Sequence, residues 1–482
     1  MQLVKPQPSS LALSLMLTLG ATMPLAATAQ EGAILDFIDS RYEQTASLAR
    51  SLWEYAEVGY QETQSSALLQ RTLQDAGFSV TAGVAEIPTA FVAEFGSGEP
   101  VIAILGEYDA LPGINQDSIP ERSLLPGKTA GHACGHNLFG AGSIQAAIAV
   151  KKWLQDNNVQ GTIRVYGTPA EEGGAGKVYL VRAGLFDDVD IVMHWHASSA
   201  NSAQARTSLA NRSAKFRFHG VSAHAAGAPE RARSALDGVE AFNHMVNLMR
   251  EHVPQQTRIH YVITAGGNAP NVVPDFAEVF YYLRHPEADM VRQMWRRLEA
   301  AAEGAATGTG TTVEPEIIHG IYPVMVNETL AKMMHEKLTE VGGVNYNARE
   351  QAFAEEIYAS FDQPSDRLGS EREIRPYDSG LGYGSTDVGD VSIAVPTVGV
   401  RTATWVPGTS AHSWQAVAAS GMSIGFKGAQ VAAKTLTLAA IELFENEELR
   451  EAAREEWEAQ RGDGFEYESL LGDRAPPLDY RN

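Results

Sequence analysis

Three short strand-like runs constrain this chain more than any other feature. They are Val101–Leu105, Thr162–Tyr166 and Val189–Met193, and each is followed at once by polar or glycine-rich residues. Short apolar runs bounded by turn formers read as strands buried on both faces, the habit of parallel sheets covered by helices. Before the first of them the apolar spacing is helical, over Ala33–Gly77, and between the first two it is helical again, over Ala141–Leu154. Strands alternating with helices predict an α/β sheet. Ligands of open α/β sheets bind at the carboxyl ends of the strands. Those ends carry Gly106-Glu107-Tyr108-Asp109, Gly167-Thr168-Pro169-Ala170-Glu171-Glu172-Gly173-Gly174 and His194-Trp195-His196.

The pattern changes after residue 211. Strand, helix, strand, strand, helix and strand follow at Ala214–His219, Arg233–His252, Arg258–Thr264, Ala277–Leu283, Ala288–Gly304 and Thr311–Ile318. That order predicts a small ferredoxin-like α+β unit inserted into the larger domain. A chain of 482 residues exceeds what one core usually serves. The expected layout is a first catalytic segment over 30–211, the insertion over 212–320 and a second catalytic segment over 321–445. Late strands such as Ala394–Val400 and a helix over Gly425–Phe444 complete the large domain. An acidic tail over 446–482 reads as a surface helix and then a loose end.

Residues 1–29 stand apart. Lys5 is their only charged side chain, Leu11–Leu19 is an apolar run too short to span a bilayer, and Ala27-Thr28-Ala29 supplies small residues for cleavage. This reads as a signal peptide, which places the mature protein in the periplasm or outside the cell. A short membrane anchor is the alternative. With 37 basic and 59 acidic residues the formal net charge is −22. Such a surface repels nucleic acid and anionic membrane. An anionic substrate would need a local basic pocket against that field.

The only cysteine, Cys134, lies between His132 and His136. A lone cysteine makes no intrachain disulfide, so it is either an inert buried thiol or a metal ligand. Four separated segments supply ligand types in turn-rich settings: Cys134 with His136, Glu171 with Glu172, His196, and His412. Thiolate, imidazole and carboxylate together suit zinc, manganese or cobalt. Five donors exceed the needs of one catalytic zinc and suggest two divalent ions sharing a bridging ligand, a pair that activates water and polarises a carbonyl. Of two adjacent glutamates, one can bind metal while the other takes the water's proton. Gly176-Lys177 resembles the end of a phosphate-binding loop, but the earlier glycine is missing and Val178 replaces the needed hydroxyl. A cysteine-nucleophile reading of Cys134, with His412 or His196 as base, leaves the glutamate pair unexplained.

These motifs resemble the dinuclear metallo-aminoacylase and carboxypeptidase family, in its amidohydrolase branch. The likeness rests on Asp109-Ala110-Leu111-Pro112, His132-Ala133-Cys134-Gly135-His136, Pro169-Ala170-Glu171-Glu172-Gly173-Gly174, Gly220-Val221-Ser222-Ala223-His224 and His412. Gly106–Asp109, Thr207–Asn211 and Ser385–Ser392 add a likeness to the p-aminobenzoyl-glutamate hydrolase B-subunit type. It spans residues 33 to 440.

The resemblance implies a zinc-exopeptidase-like catalytic domain with an inserted dimerisation or lid domain. It implies Cys134, His136, Glu172, His196 and His412 as ligands of two divalent metals, and Glu171 as general base. Asp109 would stand behind the ligands and orient an imidazole. Relatives carry a histidine ligand two positions before this aspartate; here Glu107 occupies it, and His136 would replace it. His224 would stabilise the oxyanion across a dimer interface. Asn271 and Arg284 match positions that hold the substrate's carboxylate, although a strand-borne arginine also suits an ordinary salt bridge. His132 and His194 are packing or supporting residues, and Asp387 has no assigned role. The implied activity is hydrolysis of N-acyl or N-aroyl amino acids or dipeptides, by a homodimer or with a homologous partner chain. A non-catalytic binding subunit on the same fold is the alternative.

Overall fold

The computed structural model describes residues 24–481. The expected signal segment lies outside them except for residues 24–29, which open a helix, Pro24–Ser40. No helix of the described residues is long and apolar enough to cross a membrane.

The chain enters a large sheet with β1 (Ser79–Ala82), β2 (Phe91–Ser97), β3 (Val101–Gly106), β4 (Gly161–Gly167), β5 (Ile191–Ser198) and β6 (Ser202–Gln204). It leaves for a second sheet of β7 (Ala210–His219), β8 (Arg258–Ala265), β9 (Phe276–His285) and β10 (Thr312–Ile321), then returns with β11 (Thr397–Ala403). The large sheet has the order β1-β2-β4-β3-β5-β11-β6. Its central pairs, β4 with β3, β3 with β5 and β5 with β11, are parallel. Their carboxyl ends therefore share one edge.

Period-two alternation assigns each strand residue to a face. Ile102 and Ile104 pack into one core with the helices His136–Asn157 and Ser423–Glu445. Ala103 and Leu105 pack into another, with Val178 of the helix Gly176–Arg182 and Val391. Both faces of β3 are covered, which is why it reads as an unbroken apolar run.

The insertion forms a fully antiparallel sheet of order β8-β9-β7-β10. The helices Ala235–Met249 and Ala288–Thr309 bury Phe242 and Trp295 against Phe216, Phe218 and Tyr281. The order β-α-β-β-α-β stands as expected.

Three expectations fail. β5 does not stop at Met193 but runs on through His194 and His196, because its neighbour β11 pairs with it as far as Ser198. The expected strand over Ala394–Val400 is split: Val388–Ala394 is helical, and β11 starts only at Thr397 after Pro396. The tail is a helix, Glu447–Arg461, but the residues beyond it are not loose. Leu470 and Leu471 are buried, and the Tyr467 hydroxyl donates to Asp390 at 2.7 Å. Arg474 donates to the Ile318 carbonyl at 2.8 Å. The segment runs along the seam between the two sheets.

Candidate metal centre

The loop between Gly131 and the helix at His136 turns through Gly135, at φ +80°. A side chain there would meet the Ala197 methyl at 2.6 Å, so glycine lets the loop settle against β5. This brings the Cys134 sulfur within 3.5 Å of His196 Nε2. His196 donates from Nδ1 to the Ala197 carbonyl at 2.7 Å, which leaves Nε2 bare and facing the sulfur.

His136 is the first residue of its helix and is wholly buried. Its Nδ1 donates to Asp109 Oδ1 at 2.9 Å. The other oxygen of Asp109 accepts the Glu172 N–H at 2.9 Å. One carboxylate thus sets both an imidazole and the glutamate loop. His136 Nε2 has no hydrogen-bond partner, although Glu107 Oε2 stands 3.3 Å away.

The glutamate loop is held under strain. Ala170 and Ala175 both take left-handed φ, +59° and +55°. Such residues cost roughly 1–3 kcal/mol each and persist where surroundings over-determine them. The surroundings here are Glu62, which accepts the Ala170 N–H at 2.9 Å, and Tyr60, whose hydroxyl donates to the Gly174 carbonyl at 2.7 Å. Tyr480 and Arg481 from the C-terminal segment both donate to the Glu172 carbonyl. His412 is also left-handed, at φ +61°, with its N–H on the Ala133 carbonyl at 2.9 Å. Its Nε2 lies 3.3 Å from Glu172 Oε1.

Three sets of donor atoms result, each lying within 4.8 Å of one another: Cys134, His136 and His196; Cys134, Glu172 and His412; His136, Glu171 and Glu172. Cys134, His136 and Glu172 each belong to two of them, and of these the thiolate and the carboxylate are the types that can bridge two ions. Two buried donors, His136 Nε2 and Glu172 Oε1, lack hydrogen bonds. The 3.5 Å spacing of sulfur and imidazole nitrogen also fits a tetrahedral ion, for which bond lengths of about 2.3 and 2.0 Å give about 3.5 Å. The residues present therefore fit a pair of divalent cations.

The electrostatics point the same way. Burial raises the Cys134 thiol, but His196 and His136 outweigh it and hold the thiol well below its ordinary range. Burial lowers His136, yet Asp109 and Cys134 draw it well above the usual imidazole. His412 is pushed up to about 10 by its contacts with Cys134 and Glu172. Glu171 is raised well above the carboxylate range by burial and then by Glu172 beside it. Crowded anions that pull protons onto imidazoles will pull a divalent cation in their place.

Sequence reasoning passes over two parts of this centre. Lys177, discounted with the broken phosphate-loop motif, is wholly buried and bonds Glu107 Oε1 at 2.7 Å and Asp387 Oδ1 at 2.8 Å. Asp387, which the motifs leave without a role, also accepts the Lys177 N–H at 3.0 Å. Lysine in an apolar helical run, Gly-Lys-Val-Tyr-Leu-Val, is the available signal. The second omission is Arg401, beside His196 in the register of β11 and β5. His132 has a packing role: it bonds the Leu52 carbonyl at 3.0 Å and accepts the Asn137 N–H at 3.2 Å.

The inserted domain's candidates are not in the donor sets. His224 is exposed and accepts the N–H groups of Ala226 and Gly227 on Nδ1, each at 3.2 Å. That leaves Nε2 as an outward donor. Asn271 is exposed on the adjoining loop, where its carbonyl accepts the Ala225 N–H at 3.0 Å. Arg284 lies on β9 opposite Asn211, over the Tyr282 ring. It has no ion pair among the described residues, which removes the ordinary salt bridge, and its buried Nε lacks a partner.

The profile of peptidase family M20/M25/M40 matches residues 103–363 of this chain. The chain is 39% identical to the p-aminobenzoyl-glutamate hydrolase B-subunit of Escherichia coli (strain K12), over 87% of this chain and 93% of that protein. It is 29% identical to the Xaa-Arg dipeptidase of Mus musculus, over 88% and 91%. Among solved structures, a dinuclear metal-binding peptidase of the M20 family from Bacillus subtilis superposes with a TM-score of 0.59, covering 84% of this chain and 99% of the other, at 18% identity.

Proposed function

This chain belongs to peptidase family M20/M25/M40, and we propose that it hydrolyses the amide bond of N-acyl or N-aroyl amino acids, p-aminobenzoyl-glutamate among them, or of dipeptides, with two divalent cations held by Cys134, His136, Glu172, His196 and His412. It is a hydrolase of amide bonds. The observation that carries the finer reading is three overlapping donor sets that share Cys134, His136 and Glu172, with Glu171 in the third. When bound, the cations supply a polarised amide carbonyl and a water acidic enough to attack it.

The chain's own residues do the rest. Asp109 fixes the His136 imidazole so that Nε2 faces the centre. Glu171, kept basic by burial and by its acidic neighbour, takes the attacking water's proton and gives it to the leaving nitrogen. His224 Nε2–H, turned outward, donates to the oxyanion in the partner copy's site, and Asn271 and Arg284 receive the carboxylate end of the substrate. Zinc, manganese and cobalt all suit the donors.

A homodimer completes this reading. β8 is an edge strand that leaves Tyr261, Val262 and Ile263 exposed, and Met245 and Leu248 of the neighbouring helix are exposed too. An apolar edge of this kind invites pairing with a second copy, whose His224 would reach the first copy's centre. The Escherichia coli relative is named as one subunit of a hydrolase, which also supports a homologous partner chain or a binding role for this one. The segment 1–29 supports export to the periplasm or medium.

The test is metal analysis of the purified chain, joined to a screen of N-acyl amino acids, dipeptides and p-aminobenzoyl-glutamate. Metal bound and an amide cleaved is the expected result. Glu171→Ala should abolish turnover, about 10²–10⁴-fold, while keeping its metal. Full metal loading with no amide cleaved by the wild-type chain would favour the non-catalytic role.

A further inference from the structure

β11 is buried along its length except at one position. From Thr397 to Ala403 every residue is buried but Arg401, which is exposed. Arg401 pairs in register with His196 on one side and with Ser202 of β6 on the other. Side chains in register on neighbouring strands share a face. That face carries His194 and His196 from β5, Gly399 and Arg401 from β11, and Ser202 and Gln204 from β6. None of these is acidic. Arg401 has no hydrogen bond and no ion pair among the described residues, although the chain has a formal net charge of −22.

The surroundings are polar and uncommitted. A side chain at Gly399 would strike Gln204 Oε1 at 2.0 Å and His194 Nε2 at 2.4 Å, so both groups lie flat on the sheet there. The buried Gln204 Oε1 has no hydrogen-bond partner. The fixed charge on this floor is the guanidinium.

We propose that Arg401 anchors a second carboxylate of the substrate, the one on its side chain that Asn271 and Arg284 leave free, so that the preferred substrates are amides of acidic amino acids. This rests on the hydrolase reading above and names what that hydrolase selects. Adjacent strands lie about 4.8 Å apart, so the Arg401 stem starts one strand from His196. The side-chain carboxylate of a residue whose nitrogen lies at the donor cluster falls within reach of a long side chain that starts one strand away. A guanidinium offers that carboxylate two parallel hydrogen bonds. Arg401 supplies the local basic patch that an anionic substrate needs on an acidic protein.

The experiment pairs p-aminobenzoyl-glutamate with p-aminobenzoyl-glutamine, its side-chain carboxamide, which has the same scissile bond and the same α-carboxylate, on the full chain loaded with manganese. Wild type should favour the acid. Arg401→Met should lower kcat/KM for the acid by about tenfold or more, mostly through KM, and lower that for the carboxamide far less. Arg401→Lys should restore part of the preference. Melting temperature and metal content should stay at wild-type values, which a merely structural arginine would not allow. Calorimetric binding of p-aminobenzoyl-glutamate to wild type and Arg401→Met needs no turnover. It therefore separates the failure of this anchor from the failure of the hydrolase reading. Equal binding by the two, or equal loss on acid and carboxamide, would overturn the proposal.

Discussion

The large domain and the inserted domain each present candidate residues, and they hold them differently. In the large domain Cys134, His136 and Glu172 sit in loops or at helix starts and His196 on β5, and His136, Glu172 and His196 are each braced by a neighbour. Asp109 ties His136 to the glutamate loop, Lys177 ties Glu107 to Asp387, and the chain's C-terminal segment ties down the Glu172 carbonyl. In the inserted domain His224 and Asn271 are exposed, and Arg284 has no ionic partner among the described residues. A catalytic centre must be organised before substrate arrives, because reorganisation during the reaction costs rate. Residues that meet the substrate late can remain open. On the reading proposed above, the metal-holding residues are built by this chain alone, while His224, Asn271 and Arg284 would need docking or closure to meet the substrate.

The sharpest way to break the first half is Lys177→Met. Removing a buried partner from an ion pair leaves uncompensated charge and costs about 3–5 kcal/mol, and here two carboxylates, Glu107 and Asp387, lose the same cation. Burial alone would lower the Lys177 ammonium, but Asp387 and Glu107 raise it and keep it charged. We expect a melting temperature lower by several degrees and weaker metal retention through Glu107 and His136. Adding Asp387→Asn should recover part of the loss. An unchanged melting curve for Lys177→Met would remove Lys177 from the brace.

The second half breaks at His224. If its Nε2–H meets the oxyanion, His224→Ala should lower kcat by about 10²-fold with little change in KM, metal content or melting temperature. Mixing His224→Ala chains with Glu171→Ala chains should restore activity if the donor crosses a dimer interface, because a mixed dimer contains one intact site. No recovery on mixing would confine each site to a single chain.

The legible parts of this molecule are those where one physical demand leaves one mark. Strands buried on both faces must be apolar, so β3 stands out with its polar loop attached. Donors for cations must be Cys, His or carboxylate in turns, so Cys134, His136, Glu171, Glu172, His196 and His412 can be picked out and do converge. The supporting residues are obscure because their meaning is three-dimensional. Lys177 and Asp387 are 210 positions apart, and nothing local to either says they meet. Arg401 looks like any charged residue next to an apolar run until the register sets it beside His196. The tail's composition is that of a solvated end, and only the groove between the two sheets gives Leu470 and Tyr467 somewhere to go.

That tail offers a milder test. Deleting residues 474–482 removes Arg474, Tyr480 and Arg481, and with them two donors to the Glu172 carbonyl and the Tyr480 ring against Tyr60 at 5.6 Å. The strained glutamate loop should loosen. We expect kcat to fall about tenfold, since small misplacements of a catalytic group are costly, while the melting temperature moves by only a few degrees. Unchanged kcat would mean that Glu62, Tyr60 and Asp109 hold the loop without the tail.

The smallest effect belongs to the joint where tail, insertion and large domain meet. Asp390 is fully buried there, and it accepts the Tyr322 N–H at 2.9 Å and the Tyr467 hydroxyl at 2.7 Å. Burial pushes its carboxyl up to about 7, against the pull of those two hydrogen bonds. The folded chain thus keeps a proton that the unfolded chain releases near pH 4. Where the folded state binds more protons, stability falls as pH rises. The contribution is complete below about pH 4 and is lost as pH climbs through 7. Asp390→Asn cannot titrate, and its amide can still accept from Tyr322 and donate to the Tyr467 oxygen. Between pH 5 and 8 wild type should therefore lose stability relative to the variant, on the order of 2–4 kcal/mol. Melting temperatures of the two chains across that range would read it. Parallel curves would mean that the Asp390 carboxylate is already ionised in the folded chain at pH 5, with Tyr322 and Tyr467 outweighing burial.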